Sequence, residues 1–165
     1  MKIILIGFMG TGKSTIGRKL ADVLDMNFYD VDREIEILTG MTLTELYKKE
    51  GPIRFQSEEK LMLNKLLKKD NLVLATGGTL EVDEAMMNQW RENGFKVIAL
   101  WLNAEEIFKR VKRRSHRPTL EKENLQEQIE LACANRRNVY EKADLFLDTT
   151  SIGLDKIIMT IKSIL

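Results

Sequence analysis

Residues Gly7-Phe8-Met9-Gly10-Thr11-Gly12-Lys13-Ser14 follow directly on the apolar run Lys2 to Ile6 and lead into a stretch where Ile16, Leu20 and Leu24 recur four apart. This is G-x-x-x-x-G-K-[ST] between a strand pattern and a helix pattern, the context in which the motif grips phosphate. A polyphosphate needs backbone N–H groups aimed inward, so glycines must permit close approach and unusual φ, while a helix N-terminus adds positive potential. Lys13 is placed to reach the outer phosphates, and the Ser14 hydroxyl suits Mg²⁺, which takes hard oxygen ligands and keeps several waters. Gly10, Thr11, Gly12, Lys13, Ser14 and Thr15 are therefore the expected nucleotide-binding residues. The motif is silent on what receives the phosphate.

The same alternation continues along the chain. Short apolar runs at Lys2 to Ile6, Asn27 to Tyr29, Leu72 to Ala75, Val97 to Leu102 and Leu145 to Leu147 read as strands. The central ones are nearly continuous in apolar residues, as two-sided burial in a parallel sheet demands. Between them lie helical patterns over 14–24, 33–50, 53–68, 82–92, 124–142 and 153–164. Another starts after Asn103, whose spacing to Glu106 is that of a capping box. The expected class is α/β.

A chain of 165 residues suits one domain and buries a sufficient core without disulfides or structural metal. With 26 Lys+Arg against 25 Asp+Glu, no global field argues for a nucleic-acid coat or a membrane surface. The single cysteine, Cys133, has no intramolecular disulfide partner, and one histidine, His116, leaves no Cys/His metal cluster to assemble. The opening apolar run stops at Gly7 without a cleavage site, so a signal peptide is not expected and a reducing cytoplasm is.

Four features outside the loop carry chemistry. Asp30 and Asp32 end the second strand, and a two-residue spacing in extended chain points both carboxylates to one side. A metal partner and a proton acceptor are what phosphoryl transfer still needs once phosphates are cradled; alternatively, Asp32 simply N-caps the helix starting near Arg33. From Lys109 to Arg117 six of nine residues are Lys or Arg, and the Arg117-Pro118 step suits a lid over phosphates or a solvated face. In the pattern at 124–142, Leu125, Ile129, Ala132, Cys133, Arg136 and Tyr140 share one arc, so Arg136 faces inward and wants a structural carboxylate or an anionic ligand. Thr76-Gly77-Gly78 after the third strand is either a tight turn or a place where backbone meets a ligand.

Taken together, the loop at 7–14, Asp30-Val31-Asp32 followed by Glu34-Ile35-Glu36, Ala75-Thr76-Gly77-Gly78, Arg117-Pro118 and Arg136 with Tyr140 resemble the shikimate kinase family from end to end. The resemblance implies a three-layer αβα fold, nucleoside-monophosphate-kinase-like, with a five-stranded parallel sheet of order 2-3-1-4-5 and the P-loop after strand 1. It implies one kinase domain over 1–165, with an acceptor-binding segment at about 31–61 and a lid at about 110–124. The implied activity is ATP-dependent, Mg²⁺-assisted phosphorylation of shikimate to shikimate 3-phosphate in chorismate and aromatic amino-acid biosynthesis. A cytoplasmic monomer without nucleic-acid or membrane partners is expected.

By position, the resemblance makes Lys13, Asp32 and Arg117 catalytic, Asp32 binding the acceptor hydroxyls and assisting proton removal. Ser14 and Asp30 would hold the metal, and Arg110 and Arg117 would join the P-loop in binding ATP. Asp32, Gln56, Gly77, Gly78 and Arg136 would bind the acceptor, Arg136 through its carboxylate. Three positions depart from the family pattern. Gln56 stands where an arginine is usual after Phe55, Thr79 where a third glycine is usual, and Asn138 where a proline is usual. All three touch the acceptor side, so a different hydroxylated acceptor and a decayed acceptor site are the rival expectations. Arg54 is the adjacent cation, about 100° away around a helix from position 55.

Overall fold

The computed structural model describes residues 1–113 and 123–165. Five strands form one parallel sheet: β1 (Lys2–Ile6), β2 (Asn27–Asp30), β3 (Leu72–Ala75), β4 (Phe95–Trp101) and β5 (Leu145–Asp148). Their order is β2-β3-β1-β4-β5, as the resemblance implied. Between them run α1 (Lys13–Leu24), α2 (Val31–Thr39), α3 (Leu43–Leu66), α4 (Glu84–Glu92), α5 (Ala104–Arg113), α6 (Leu125–Tyr140) and α7 (Leu154–Lys162).

Strand alternation divides the core between the two faces of the sheet. Ile3 and Leu5 point into a layer with Ile16 and Leu20 of α1 and Ile157, Ile158 and Ile161 of α7. Ile4 and Ile6 point the other way, into a larger layer built with α2 to α6 and including Phe55, Trp90, Ile129 and Tyr140. Each such fully buried side chain contributes roughly 1.5 to 3 kcal/mol. In register, Leu5 pairs with Ala75 and Ile98, so the C-terminal ends of β1, β3 and β4 open on one edge of the sheet.

The segment expected as one helix over 33–50 is two. α2 stops at Gly40, which adopts φ 68° and donates its N–H to the Glu36 carbonyl. Thr42 then starts α3 through a reciprocal capping box with Glu45. α3 itself continues past residue 50 with a kink at Gly51, φ 79° and ψ 173°, before Pro52. The break expected between 50 and 53 is thus a bend. β4 begins at Phe95 rather than Val97, because buried Phe95 and Val97 flank exposed Lys96 and extend the pairing with β1. Among the described residues no helix is long and apolar enough to cross a membrane.

Candidate active site

Two adjoining cavities occupy the sheet edge where the strands end. The first, about 340 Å³, is lined by Met9, Gly10, Gly12, Lys13, Ser14 and Thr15 of the loop, Asp30 and Asp32, Thr76 and Gly78, and Arg110 and Arg113. Gly10 and Gly12 hold φ 79° and 91°, a region a side chain would strain, so the loop's curvature requires glycine at both. Lys13 Nζ donates to the carbonyls of Gly7 at 2.7 Å and Phe8 at 3.2 Å, which folds the side chain back over its own loop. Arg110 reaches over from α5 to the Gly10 carbonyl at 3.1 Å. Among the described residues, Thr11 is the expected nucleotide residue that does not line this space. Its hydroxyl is buried and donates to the Phe8 carbonyl at 2.8 Å, tying the loop to itself.

Asp30, not Asp32, caps α2. Its Oδ1 accepts the N–H groups of Asp32 and Arg33, and its Oδ2 accepts the Ser14 hydroxyl. The two aspartates meet in one cavity because the strand ends between them and the chain turns into a helix, rather than through strand alternation. The Asp30 carboxylate and Ser14 hydroxyl together form a hard-oxygen pair at the end of the loop, the donor chemistry Mg²⁺ takes. Among the described residues no three His, Cys, Asp or Glu side chains gather to hold an ion by themselves. A metal at this pair would therefore take its remaining ligands from phosphate and water.

The second cavity, about 270 Å³, is lined by Phe8, Met9, Tyr47, Pro52, Phe55, Gln56, Thr79, Glu81, Ala132 and Arg136. Met9 belongs to both walls. Arg136 is half-buried on the inner face of α6 as its arc required. Its Nη1 donates to the Ala132 carbonyl at 3.1 Å, and its guanidinium lies 5.0 Å from the centre of the Phe8 ring. Its buried Nε has no hydrogen-bond partner. Among the described residues no carboxylate pairs with Arg136, so the structural-carboxylate expectation for an inward guanidinium is not met among them. Burial pushes the neighbouring Tyr140 hydroxyl up to about 12, opposed by the Arg136 charge.

Gln56 is exposed at the rim of this cavity. Arg54 points elsewhere and pairs with Glu58 at 2.8 Å, so it does not supply the missing cation. Gly78 packs on the loop so tightly that a Cβ there would stand 2.9 Å from that of Met9. Gly77 lines neither cavity; it is wedged against the carboxyl groups of Glu59 and Asp32. Arg117 and most of the expected lid lie outside the described residues.

One buried acid was not expected. Glu59 of α3 is 2% exposed and accepts the Thr79 hydroxyl at 2.8 Å. Desolvation pushes its carboxyl up to about 7, with the Thr79 hydrogen bond opposing and the Asp32 charge assisting. The signal was present in the sequence: Glu59 falls on the arc of Phe55, Met62, Leu63 and Leu66, an acid on an apolar face.

The family model described as shikimate kinase matches residues 9–165. The chain belongs to the shikimate kinase family. A shikimate kinase from Pelotomaculum thermopropionicum is 43% identical over 159 residues, which cover 96% of this chain and 92% of that one. The structure of the Acinetobacter baumannii shikimate kinase in complex with shikimate superposes with a TM-score of 0.89 at 32% identity, covering 98% of this chain and 90% of the other. The Aquifex aeolicus shikimate kinase superposes with a TM-score of 0.84 at 30% identity, covering 99% and 95%. Kinases of this family use ATP as phosphoryl donor.

Proposed function

We propose that the chain transfers the γ-phosphoryl group of ATP to shikimate, giving shikimate 3-phosphate and ADP on the route to chorismate and the aromatic amino acids. The observation that carries this reading is an inward guanidinium with an orphaned Nε, in a cavity that shares the Met9 wall with the phosphate cradle. A small acid bearing hydroxyl groups fits that pair of features. Its carboxylate would meet Arg136 in a charge-assisted hydrogen bond while a hydroxyl faces Asp32.

The chemistry is positioning and charge neutralisation. The acceptor hydroxyl oxygen forms the new bond to phosphorus as the bond to the leaving oxygen of ADP breaks, and the hydroxyl proton passes to the Asp32 carboxylate. Lys13 swings from its loop carbonyls to the outer phosphates, and the loop amides and the N-terminus of α1 offset the remaining charge. Ser14 and Asp30 would hold Mg²⁺, which supplies further neutralisation of the phosphate oxygens when bound. Arg110 would close the nucleotide side and Arg117 would reach the transferring group. On this reading residues 1–165 act as one kinase domain, with 31–61 as the acceptor segment and 110–124 as the lid, working as a monomer in the cytoplasm.

Gln56 and Glu81 favour a second reading in one respect. They leave Arg136 as the one cation among the described residues lining the acceptor cavity, which suits a less strongly anionic acceptor. ADP release measured with shikimate and a panel of related hydroxy acids and polyols separates the two readings by which compound gives the highest kcat/KM. No stimulation by any compound would instead mean a decayed acceptor site. Asp32→Asn should lower kcat by about 10²- to 10⁴-fold while nucleotide affinity stays within a few-fold; full activity in this variant would remove the proton-acceptor assignment.

A further inference from the structure

Three side chains that no catalytic step uses hold the acceptor-side loop in place. After β3 the chain passes through Thr76-Gly77-Gly78-Thr79 with no regular structure. Thr76 is anchored to the Leu5 carbonyl by both its N–H at 3.1 Å and its hydroxyl at 3.2 Å. Beyond it come two glycines, which lose more conformational freedom on ordering than any other residue. The glycines themselves are held by long bonds, the Gly77 carbonyl accepting the Leu80 N–H at 3.4 Å, and the next short tie is the Thr79 hydroxyl, which donates to Glu59 Oε1 at 2.8 Å. Between the two anchors both carboxylates crowd the place a side chain at Gly77 would take, its missing Cβ 3.0 Å from Asp32 Oδ1 and in collision with Glu59 Oε1. The Gly78 N–H donates to Asp32 Oδ2 at 3.4 Å.

We propose that Thr79 and Glu59 form a brace that sets the Gly77–Gly78 backbone against Asp32, making both positioning residues for the acceptor. Thr79 does this from the acceptor-cavity wall, and Glu59 from the interior behind it. The brace is specific to a hydroxyl at position 79. A glycine there would have no donor to offer Glu59, and the buried carboxyl would lose its hydrogen bond. The carboxyl is faced by Asp32 from α2, Lys13 from α1 and the Thr79 hydroxyl. Its Oε1 can accept that hydroxyl whether or not the group carries a proton. The brace therefore holds on both sides of neutrality, and a glutamine at 59 keeps the required oxygen.

The kinetic consequence rests on the kinase reading above; the structural one does not. Thr79→Val, which keeps the shape and removes the donor, should raise the shikimate KM by about tenfold, the effect of one lost hydrogen bond, with kcat and the ATP KM within about threefold. Thr79→Ser and Glu59→Gln should each stay within about threefold of the parent in all three quantities. In the ligand-free protein, Gly78 amide exchange followed by NMR should quicken by about tenfold in Thr79→Val and remain near the parent rate in Thr79→Ser. Unchanged Gly78 exchange in Thr79→Val, or Thr79→Ser behaving like the valine variant, overturns the brace. If the parent protein turned over no shikimate, the functional reading would fall while the exchange rates still decided the brace.

Discussion

The phosphate cradle and the acceptor cavity share a wall but are built on different principles. The cradle is built around one contiguous stretch: Met9, Gly10, Gly12, Lys13, Ser14 and Thr15, with two glycines at positive φ and a helix start, form half of its lining, and Asp30, Asp32, Thr76, Gly78, Arg110 and Arg113 close it from other elements. The acceptor cavity is mostly side chains from five separated places: Phe8 and Met9, Tyr47, Pro52 to Gln56, Thr79 and Glu81, and Ala132 with Arg136. A backbone site tolerates little variation in its glycines and none in its course. A side-chain site can change its ligand by single substitutions, and the chain's departures from the family pattern at Gln56 and Thr79 both fall there.

The largest effect should come from breaking the cradle. Lys13→Ala should lower kcat by about 10³-fold whichever acceptor is supplied, because it removes charge neutralisation common to every transfer. An acceptor-dependent loss would mean that the two sites are less separable than their construction suggests. The second test addresses the acid behind the acceptor wall. Glu59 has its carboxyl raised from 4.5 to about 7 in the folded chain. The folded state therefore binds that proton more tightly than the unfolded one. The contribution is fully present below about pH 4.5 and is lost as pH rises through about 7. The size of the shift corresponds to roughly 3 kcal/mol. Urea unfolding of the parent and of Glu59→Gln across this range should show the parent losing stability relative to the variant by about that amount; a pH-independent difference would contradict the assignment.

A smaller effect should sharpen the contrast from the acceptor side alone. Gln56→Arg adds a second cation at the rim, and should lower the shikimate KM by about tenfold with the ATP KM unchanged. Arg54→Ala should change kcat/KM by less than about twofold and stability by under about 1 kcal/mol, since its partner Glu58 is an i,i+4 neighbour on the helix surface. A large loss of acceptor affinity in Arg54→Ala would show that this arginine leaves Glu58 when the acceptor arrives.

What could be read from the sequence follows the same division. The cradle was legible because its residues are adjacent and its flanks state their own secondary structure. Arg136 was legible because a charge on an apolar arc is an anomaly that periodicity exposes. Glu59 is an anomaly of the same kind, an acid on the arc of Phe55, Met62, Leu63 and Leu66 within the pattern at 53–68, and it is the one signal of this type that the reading of the chain does not single out. The break after α2 was also written in the chain, as Gly40 followed by Thr42-Leu43-Thr44-Glu45, a stop and a capping box in succession. By contrast, nothing local tells that Asp30 takes the Ser14 hydroxyl, or that Thr79 meets Glu59. Those pairs are 16 and 20 residues apart and exist only once the sheet has ordered its strands.

Met9, buried and common to both chambers, has a consequence for how such an enzyme can change. A bulkier or smaller residue there would reshape donor and acceptor compartments at once, so a new substrate preference reached through that position would carry a nucleotide penalty with it. Drift in acceptor choice is thereby steered outward, to Tyr47, Gln56 and Glu81, whose side chains face one compartment only.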